Sequence, residues 1–250
     1  MNSIDNAEIE NHVNETIVDF HNKRLAAVSK LDLVDLIKKN PYLFRAKNTS
    51  TASQLIESTM SAFLSSSEEK IFGDFLEDLA IFIAGKTCNG RKSSSQGIDL
   101  ELELNGITNI ISIKSGPNWG NSSQHLKLAQ DFKAAEIRLK QSRSVRNVQA
   151  VLGICYGNTR TAFTKEGYLK VVGQNFWTLI SDDRELYTEI IEPIGYRAKE
   201  HNERYEEEKA RISNLLTKKF IDHYCLPTGE IDWKRIVVKN SGNYDLDKFQ

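Results

Sequence analysis

The clearest periodic pattern in the chain is an alternation of apolar and acidic residues over Ile98–Leu104. Such alternation is typical of a strand with one face in the core. Asn105-Gly106 follows, a dipeptide favoured in two-residue type I′ turns. A second run, Ile107–Lys114, is rich in isoleucine. Together these segments predict a β-hairpin.

Apolar residues at helical spacing occupy the first third of the chain. They predict helices over Ala7–Lys39 and Thr51–Leu64, with the polar and basic segment Phe44–Asn48 as a connector. The serines Ser65–Ser67, followed by two glutamates, predict the start of a further helix that reaches about Gly85.

The chain beyond the hairpin returns to a mixed pattern. Residues 115–121 are expected to form a loop, and Ser122 or Ser123 to cap a helix ending near Ser142. The continuous apolar run Val148–Tyr156 predicts a buried strand. The remaining predicted elements are a short strand over Tyr168–Val172, helices from Asn175 onward, and a long charged helix over Arg197–Tyr224 with Ile212, Leu215, Leu216 and Phe220 on one apolar face.

This order of elements predicts an α/β (α+β) fold with a mixed sheet flanked by helices. We expect a single domain over residues 1–250. It would comprise a helical N-terminal part (1–66), a core (67–175) and a helical C-terminal part (176–250), so the core carries helical additions at both ends.

Composition narrows the class of protein. No run of about 18 apolar residues predicts a membrane span, and the polar N-terminus lacks a signal-peptide pattern. Three distant cysteines, Cys88, Cys155 and Cys225, favour a reduced, cytoplasmic protein. The net charge, 33 − 34 = −1, does not favour a nucleic-acid binder, but residues 133–146 hold five basic residues and one acid.

The hairpin register brings candidate catalytic residues together. With Asn105-Gly106 as the turn, Asp99 lies opposite Ser112, and directly opposed residues share a face. One face is then expected to hold Asp99, Glu101, Ser112 and Lys114, and the other face to hold Ile98, Leu100, Ile111 and Ile113.

A carboxylate pair beside a lysine suits phosphodiester hydrolysis. Mg²⁺ prefers carboxylate oxygens, and a nearby lysine can orient the attacking water or balance phosphate charge. The alternative is structural: Asp99, Glu101 and Glu103 would form the solvated face of an amphipathic strand, and Lys114 would be a surface lysine.

Gly97-Ile98-Asp99 followed by Ser112-Ile113-Lys114 resembles the PD-(D/E)XK nuclease motif. The surrounding sequence, with Gly73 and Glu77 before the hairpin and residues 114–124 after it, resembles bacterial type II restriction endonucleases. The resemblance extends over most of the chain, including residues 41–47 and 187–193. It implies a restriction-endonuclease-like core and a bacterial, Mg²⁺-dependent, sequence-specific endonuclease for double-stranded DNA, with Mn²⁺ as a substitute metal. It also implies a homodimer and, in the same cell, a cognate DNA methyltransferase with which the enzyme forms no stable complex. A membrane partner is not expected.

In this resemblance Asp99 corresponds to the central metal ligand, Lys114 to the motif lysine, and Glu77 to a helix glutamate found in several branches. Ser112 departs from the motif, which usually has Glu or Asp there. Another carboxylate must then supply the charge. We rank Glu77 first, Glu101 second and Asp131 third. By pattern alone Glu77 is equally explained as a solvated helix acid.

Several residues are candidates for DNA contacts. They are Asn118, Trp119, Asn121, Ser122 and Gln124 after the hairpin, Lys133 and Arg138 on the basic helix, and Arg45 and Lys47 in the N-terminal part. Each has a structural alternative: Trp119 could plug the core, Gln124 could cap its helix, and the basic residues could form a solvated face.

Four functions remain open. A restriction endonuclease ranks first, followed by a repair, recombination or nicking nuclease on the same core. The third is a catalytically inactive DNA-binding member in which Ser112 marks a degenerate site. A charged helical scaffold ignores the hairpin and ranks last.

Overall fold

The computed structural model describes residues 2–142, 147–245 and 248. The helices are α1 (Asn6–Ser29), α2 (Leu33–Ile37), α3 (Pro41–Ala46), α4 (Ala52–Cys88), α5 (Ser122–Ser142), α6 (Gln174–Ser181), α7 (Leu186–Glu189), α8 (Ile191–Ile194), α9 (Ala198–Tyr224) and α10 (Trp233–Ser241). The strands are β1 (Arg91–Lys92), β2 (Leu100–Leu104), β3 (Ile107–Lys114), β4 (Val148–Ile154), β5 (Ala162–Phe163) and β6 (Leu169–Val172).

The strands form one mixed sheet in the order β1-β2-β3-β4-β6-β5. β3, β4 and β6 are parallel, and β1, β2 and β5 pair antiparallel with their neighbours. The predicted hairpin and the predicted mixed sheet flanked by helices are confirmed. Asn105 and Gly106 both adopt positive φ, 51° and 73°, as a type I′ turn requires. The two-residue strands β1 and β5 were not predicted, because they are too short to show a period.

Apolar residues cover both faces of this sheet. On one face Leu100, Ile111 and Ile113 belong to a buried cluster with Leu76 and Leu79 of α4. On the other face Ile110 and Leu152 of the sheet pack in a cluster with Leu128 and Phe132 of α5. The hairpin therefore lies between two buried layers, as expected of a sheet flanked by helices.

The described chain groups into two compact units, each formed from separate segments. The first comprises Met1–Phe20 and Phe72–Tyr196, and the second comprises His21–Ile71 and Arg197–Gln250. This grouping differs from the three consecutive parts expected from the sequence. The second unit has its own core, which includes Leu36, Ile56, Met60, Leu216 and Phe220.

Three local predictions in the first third are wrong. The helix predicted over Ala7–Lys39 is interrupted, because α1 ends at Ser29 and Asp32 caps the separate short helix α2. Ser65–Ser67 do not begin a helix, because α4 continues through them and the Ser66 hydroxyl donates to the Ala62 carbonyl at 3.1 Å. Part of the expected connector is helical: Asn40 caps α3, which begins at Pro41, a residue well suited to the first helical position.

The predicted long C-terminal helix is present as α9. Ile212, Leu216 and Phe220 are buried as expected, but Leu215 is 43% exposed and lies off the apolar face. In the part of the chain that the structure describes, we find no helix of the length and apolarity that a membrane span needs.

Candidate active site

The side chain of Asp99 contacts Ser112, although the predicted register does not extend that far. The strand pairing ends with Leu100 opposite Ile111, and the Asp99 amide donates to the carbonyl of this same Ile111 at 2.9 Å, so the regular one-to-one pairing stops before Asp99. The alternation does not reach Ile98, because Ile98 packs in the cluster that contains Leu128 and Phe132 of α5 (the α5-side cluster) and not in the cluster that contains Leu100. The expected common face for Ile98 and Leu100 is therefore wrong, because β2 begins only at Leu100.

Asp99 is held at one carboxylate oxygen by the facing strand. Its Oδ2 accepts hydrogen bonds from the Ile113 amide at 2.6 Å and the Ser112 hydroxyl at 3.3 Å. Its side chain is 19% exposed. Hydrogen bonds of this kind orient an ionised carboxylate. Ser112, buried beneath it, thus positions Asp99 instead of supplying a second negative charge.

Lys114 lies next to this carboxylate. Its Nζ is 3.5 Å from Asp99 Oδ2 and donates to the Ile113 carbonyl at 2.7 Å. The same ammonium group is 5.9 Å from the centre of the Trp119 ring. The side chain is 32% exposed, so the lysine is fixed by protein groups yet open to a substrate.

Glu77 of α4 is the second carboxylate of the site. Burial raises the pKa of Glu77 most, and the nearby Asp99 carboxylate raises it further. Lys92 and Lys114 oppose this rise, and Lys92 Nζ is 3.5 Å from Glu77 Oε1. The raised pKa of Glu77, half-buried beside a second carboxylate, indicates a shortage of positive charge, which a bound cation would relieve.

Lys92 was not anticipated from the sequence. It belongs to β1, where Arg91 and Lys92 form an exposed basic pair without any periodic signal. Only the pairing of β1 with β2 brings it beside α4. A basic residue shortly before the acidic strand was the one available hint.

Glu101, the second-ranked replacement acid, has partners of its own. It is 5% exposed, accepts from Ser93 Oγ at 2.8 Å, and pairs with Arg91 at 3.0 Å. Arg138 Nη2 lies 3.6 Å from the other carboxylate oxygen. This network stabilises the β1–β2 edge, and Glu101 is not among the charges that shift Glu77.

Asp131, the third-ranked acid, lies against the start of the hairpin. A Cβ at Gly97 would be 2.8 Å from Asp131 Oδ2, so the Asp131 carboxylate packs against Gly97, which precedes Asp99 by two residues. Lys127, one turn earlier on α5, donates to the other oxygen. Asp131 is 16% exposed and already paired.

The loop after Lys114 is fixed by its helix. Asn121 Oδ1 accepts from the Gln124 amide at 3.1 Å, and Gln124 Oε1 accepts from the Asn121 amide at 2.9 Å. This reciprocal pair is a capping box. The cap is therefore Asn121, not Ser122 or Ser123 as expected. Trp119 packs partly against the α5-side cluster and lies 4.7 Å from the His125 ring, whereas Asn118 is exposed.

The basic candidates differ in their surroundings. Lys133 is exposed on α5, whereas Arg138 donates to Ser94 at 3.2 Å and to Ser95. Arg143 and Arg146 of the basic run lie outside the described residues.

The two basic candidates of the N-terminal part belong to the second unit. There the Arg45 guanidinium lies 5.8 Å from the Trp233 ring and the Lys47 ammonium 5.8 Å from the Phe44 ring.

Within residues 2–142, 147–245 and 248, no group of three or more His, Cys, Asp or Glu side chains is placed to hold a metal ion. The carboxylates that are brought together are Glu77 and Asp99. One or two carboxylates, completed by waters and substrate phosphate, are the usual protein ligands of Mg²⁺, whereas a structural zinc site needs four ligands. The site therefore fits Mg²⁺ or Mn²⁺ and not zinc.

Comparison with known proteins gives an independent result. A search of curated proteins found no match. A family model described as type II restriction endonuclease EcoO109I matches residues 7–202, a span that includes the sheet and every candidate residue of the hairpin and of α4. The mixed sheet with its flanking helices is consistent with the restriction-endonuclease-like fold. Because the match covers well over half of the sequence, the chain belongs to the type II restriction endonuclease family typified by EcoO109I, a family of DNA-hydrolysing enzymes.

Proposed function

We propose that the protein is a Mg²⁺-dependent type II restriction endonuclease that hydrolyses both strands of double-stranded DNA at a specific sequence. The observation that carries this proposal is the grouping of Glu77, Asp99 and Lys114 at the start of the hairpin. Family membership supports the nuclease activity. The metal, the PD-(D/E)XK assignment and the roles below are inferred from the site.

Glu77 and Asp99 would hold the metal. Asp99 Oδ2 is engaged by Ile113 and Ser112, so the carboxylate is oriented before the metal arrives. When bound, Mg²⁺ neutralises charge that develops on the phosphate and lowers the pKa of a water. Glu77 takes the place that the motif normally gives to the acid at Ser112.

Lys114 would act on the attacking water. Its ammonium lies beside Asp99, where it can orient the water and balance charge on the phosphate oxygens. The water oxygen forms a bond to phosphorus and gives up a proton to solvent, one ester P–O bond breaks, and the leaving oxygen takes a proton from solvent. Lys92, which is 3.5 Å from Glu77, keeps that carboxylate paired while no cation is bound.

Cutting both strands symmetrically requires two such sites. We therefore propose a homodimer that acts on duplex DNA. A cognate DNA methyltransferase would protect the host's own sites in the cytoplasm of a bacterium. Mn²⁺ should replace Mg²⁺, because it accepts the same oxygen ligands.

The test is digestion of phage genomic DNA with Mg²⁺, with Mn²⁺ or with EDTA. Asp99→Ala would remove the central carboxylate, and Glu103→Ala, which removes an exposed acid of the adjoining strand β2, is the matched control. Discrete fragments that require the metal, persist in Glu103→Ala and vanish in Asp99→Ala would support the proposal. A metal-dependent smear would leave a nuclease without site specificity. Absence of cleavage by folded protein would contradict the proposal.

A further inference from the structure

The loop after β4, residues 155–161, adjoins the loop that leaves the candidate active site. The parallel pairing of β3 with β4 continues past both strands: the Cys155 amide donates to the Lys114 carbonyl at 2.9 Å, and the Tyr156 amide donates to the Ser115 carbonyl at 3.0 Å. Tyr156 therefore lies directly beside the residues that follow the catalytic lysine.

Close packing fixes the base of this loop. A Cβ at Gly116 would be 2.5 Å from the Tyr156 ring and hydroxyl, and one at Gly157 would be 3.2 Å from the Pro117 ring. Gly157 has φ +122°, a conformation that favours glycine. The far end is tied down by Thr161, whose hydroxyl accepts from the Val172 amide at 3.2 Å.

The side chains that this base presents outward are polar or aromatic. Tyr156 is 53% exposed although its ring lies against Gly116, and Asn158 and Arg160 are exposed. Within the described part of the chain, Arg160 takes part in no ion pair that would neutralise it. A rigid base with an outward guanidinium suits a fixed, negatively charged partner.

The distribution of acids points to the same partner. The chain has 34 acidic residues, yet none occurs in residues 114–130 or in residues 147–165. These two stretches contain the loops at the C-terminal ends of β3 and β4. Such an acid-free edge next to a carboxylate site is the arrangement needed where a polyanion must approach the metal.

We propose that loop 155–161 is a DNA-contact loop in which Arg160 and the Tyr156 hydroxyl bind backbone phosphates next to the scissile phosphodiester. The proposal rests on the nuclease function above and adds to it a surface outside the catalytic residues. The Arg160 guanidinium forms an ion pair with a phosphate. The Tyr156 hydroxyl donates a hydrogen bond to a phosphate oxygen, from a ring that Gly116 holds in place.

The experiment measures binding of a fluorescein-labelled duplex that carries the mapped cleavage sequence, in EDTA, over a series of salt concentrations. Arg160→Ala should weaken binding by about tenfold. It should also reduce the slope of log K against log salt by about 1. Arg160→Lys should restore most of the slope. Tyr156→Phe, which keeps the ring against Gly116, should weaken binding without changing the slope.

Lys165→Ala is the matched control. Lys165 is 87% exposed and lies in the turn before β6, at the opposite end of the parallel strands from the active site, so its loss should leave binding unchanged. If Arg160→Ala binds with the same affinity and slope as wild type, the inference is wrong even though the nuclease proposal stands. If wild-type protein neither binds nor cleaves the DNA, the proposed function itself fails.

Discussion

Asp99 Oδ2 accepts a hydrogen bond from the backbone amide of Ile113 at 2.6 Å, across the two strands of the hairpin. The bond links the carboxylate to the strand that ends in Lys114, so the hairpin register sets the separation of acid and lysine. Any change that shifts the register by one residue would turn Asp99 to the opposite face. The site is thus a direct product of the Asn105-Gly106 turn.

Asp99→Asn should abolish metal-dependent cleavage although it keeps the size of the side chain. The oxygen of the new side-chain amide can still accept a hydrogen bond from the backbone amide of Ile113, so the fold should survive. The side chain then lacks the negative charge that holds a cation. The measurement is the initial rate of supercoiled plasmid cleavage, with circular dichroism as the control for folding. Cleavage by the Asp99→Asn variant at the wild-type rate would contradict the assignment of Asp99 as a metal ligand.

Lys114→Ala should lower the cleavage rate by roughly 10²–10⁴-fold, the usual contribution of a positioned proton-transfer group. DNA binding should change far less, because Lys114 supplies a single positive charge, whereas a duplex is bound through many phosphate contacts. The measurement pairs single-turnover cleavage with binding in EDTA. An equal loss in both would indicate that Lys114 acts as a DNA contact and not in the chemical step.

Glu77→Gln should raise thermal stability in EDTA at neutral pH. The pKa of Glu77 is raised by burial and by Asp99, so the folded state favours the protonated form more than the unfolded state does. Ionising Glu77 therefore costs stability as pH rises above its ordinary pKa, and glutamine avoids this cost. The difference in Tm between variant and wild type should disappear at a pH low enough to protonate Glu77 in both states.

Added Mg²⁺ provides the second half of that test. It should raise the Tm of the wild-type protein by mass action and raise that of Glu77→Gln much less. Glu103→Gln, an exposed acid on β2, should behave as wild type throughout. An equal Mg²⁺ response in all three proteins would remove Glu77 from the metal site.

The sequence specifies the hairpin more completely than it specifies the site around it. Strict alternation and the turn at Asn105-Gly106 are local signals, so they predict the pairing from the turn to Leu100–Ile111 but not the departure from it at Asp99. The position of Glu77 depends on how α4 packs on the sheet, and periodicity alone leaves it equal to a solvated acid. Lys92 depends on the pairing of a two-residue strand, for which no local signal exists.

The caps show the same limit of local patterns. The serines at 65–67 have the composition of a helix start, yet buried apolar residues of α4 lie on either side of them, Met60 and Leu64 before and Phe75 and Leu76 after, and their burial keeps α4 continuous. At α5 the reciprocal bonds of Asn121 and Gln124 compete successfully with the serine hydroxyls. In both places a sequence motif names several possible caps, and packing selects among them.

Gly116→Ala should destabilise the protein through Tyr156. The added methyl group would lie 2.5 Å from the tyrosine ring and hydroxyl, far inside van der Waals contact, so the ring must move. The same substitution in a Tyr156→Ala background should cost much less, which makes the pair non-additive. Urea denaturation of the two single variants and the double variant measures this coupling. Strictly additive losses would show that the ring does not lie against Gly116.

His21 of the second unit predicts an acid sensitivity unrelated to the active site. Burial, with contributions from His201 and Arg24, lowers the pKa of His21 to about 4. In the unfolded chain its pKa is about 6.5. Protons therefore bind the unfolded state preferentially between these values, and the free energy of unfolding falls as the pH drops through that window. At pH 5 the loss should be at most about 2 kcal/mol, and solvent screening of the partly buried ring reduces it below that limit.

His21→Gln cannot take up this proton, so its free energy of unfolding in urea should change less between pH 7.5 and pH 5 than that of wild type. His125→Gln is the control, and an identical pH response of wild type and His21→Gln would show that this histidine is not held neutral in the folded protein.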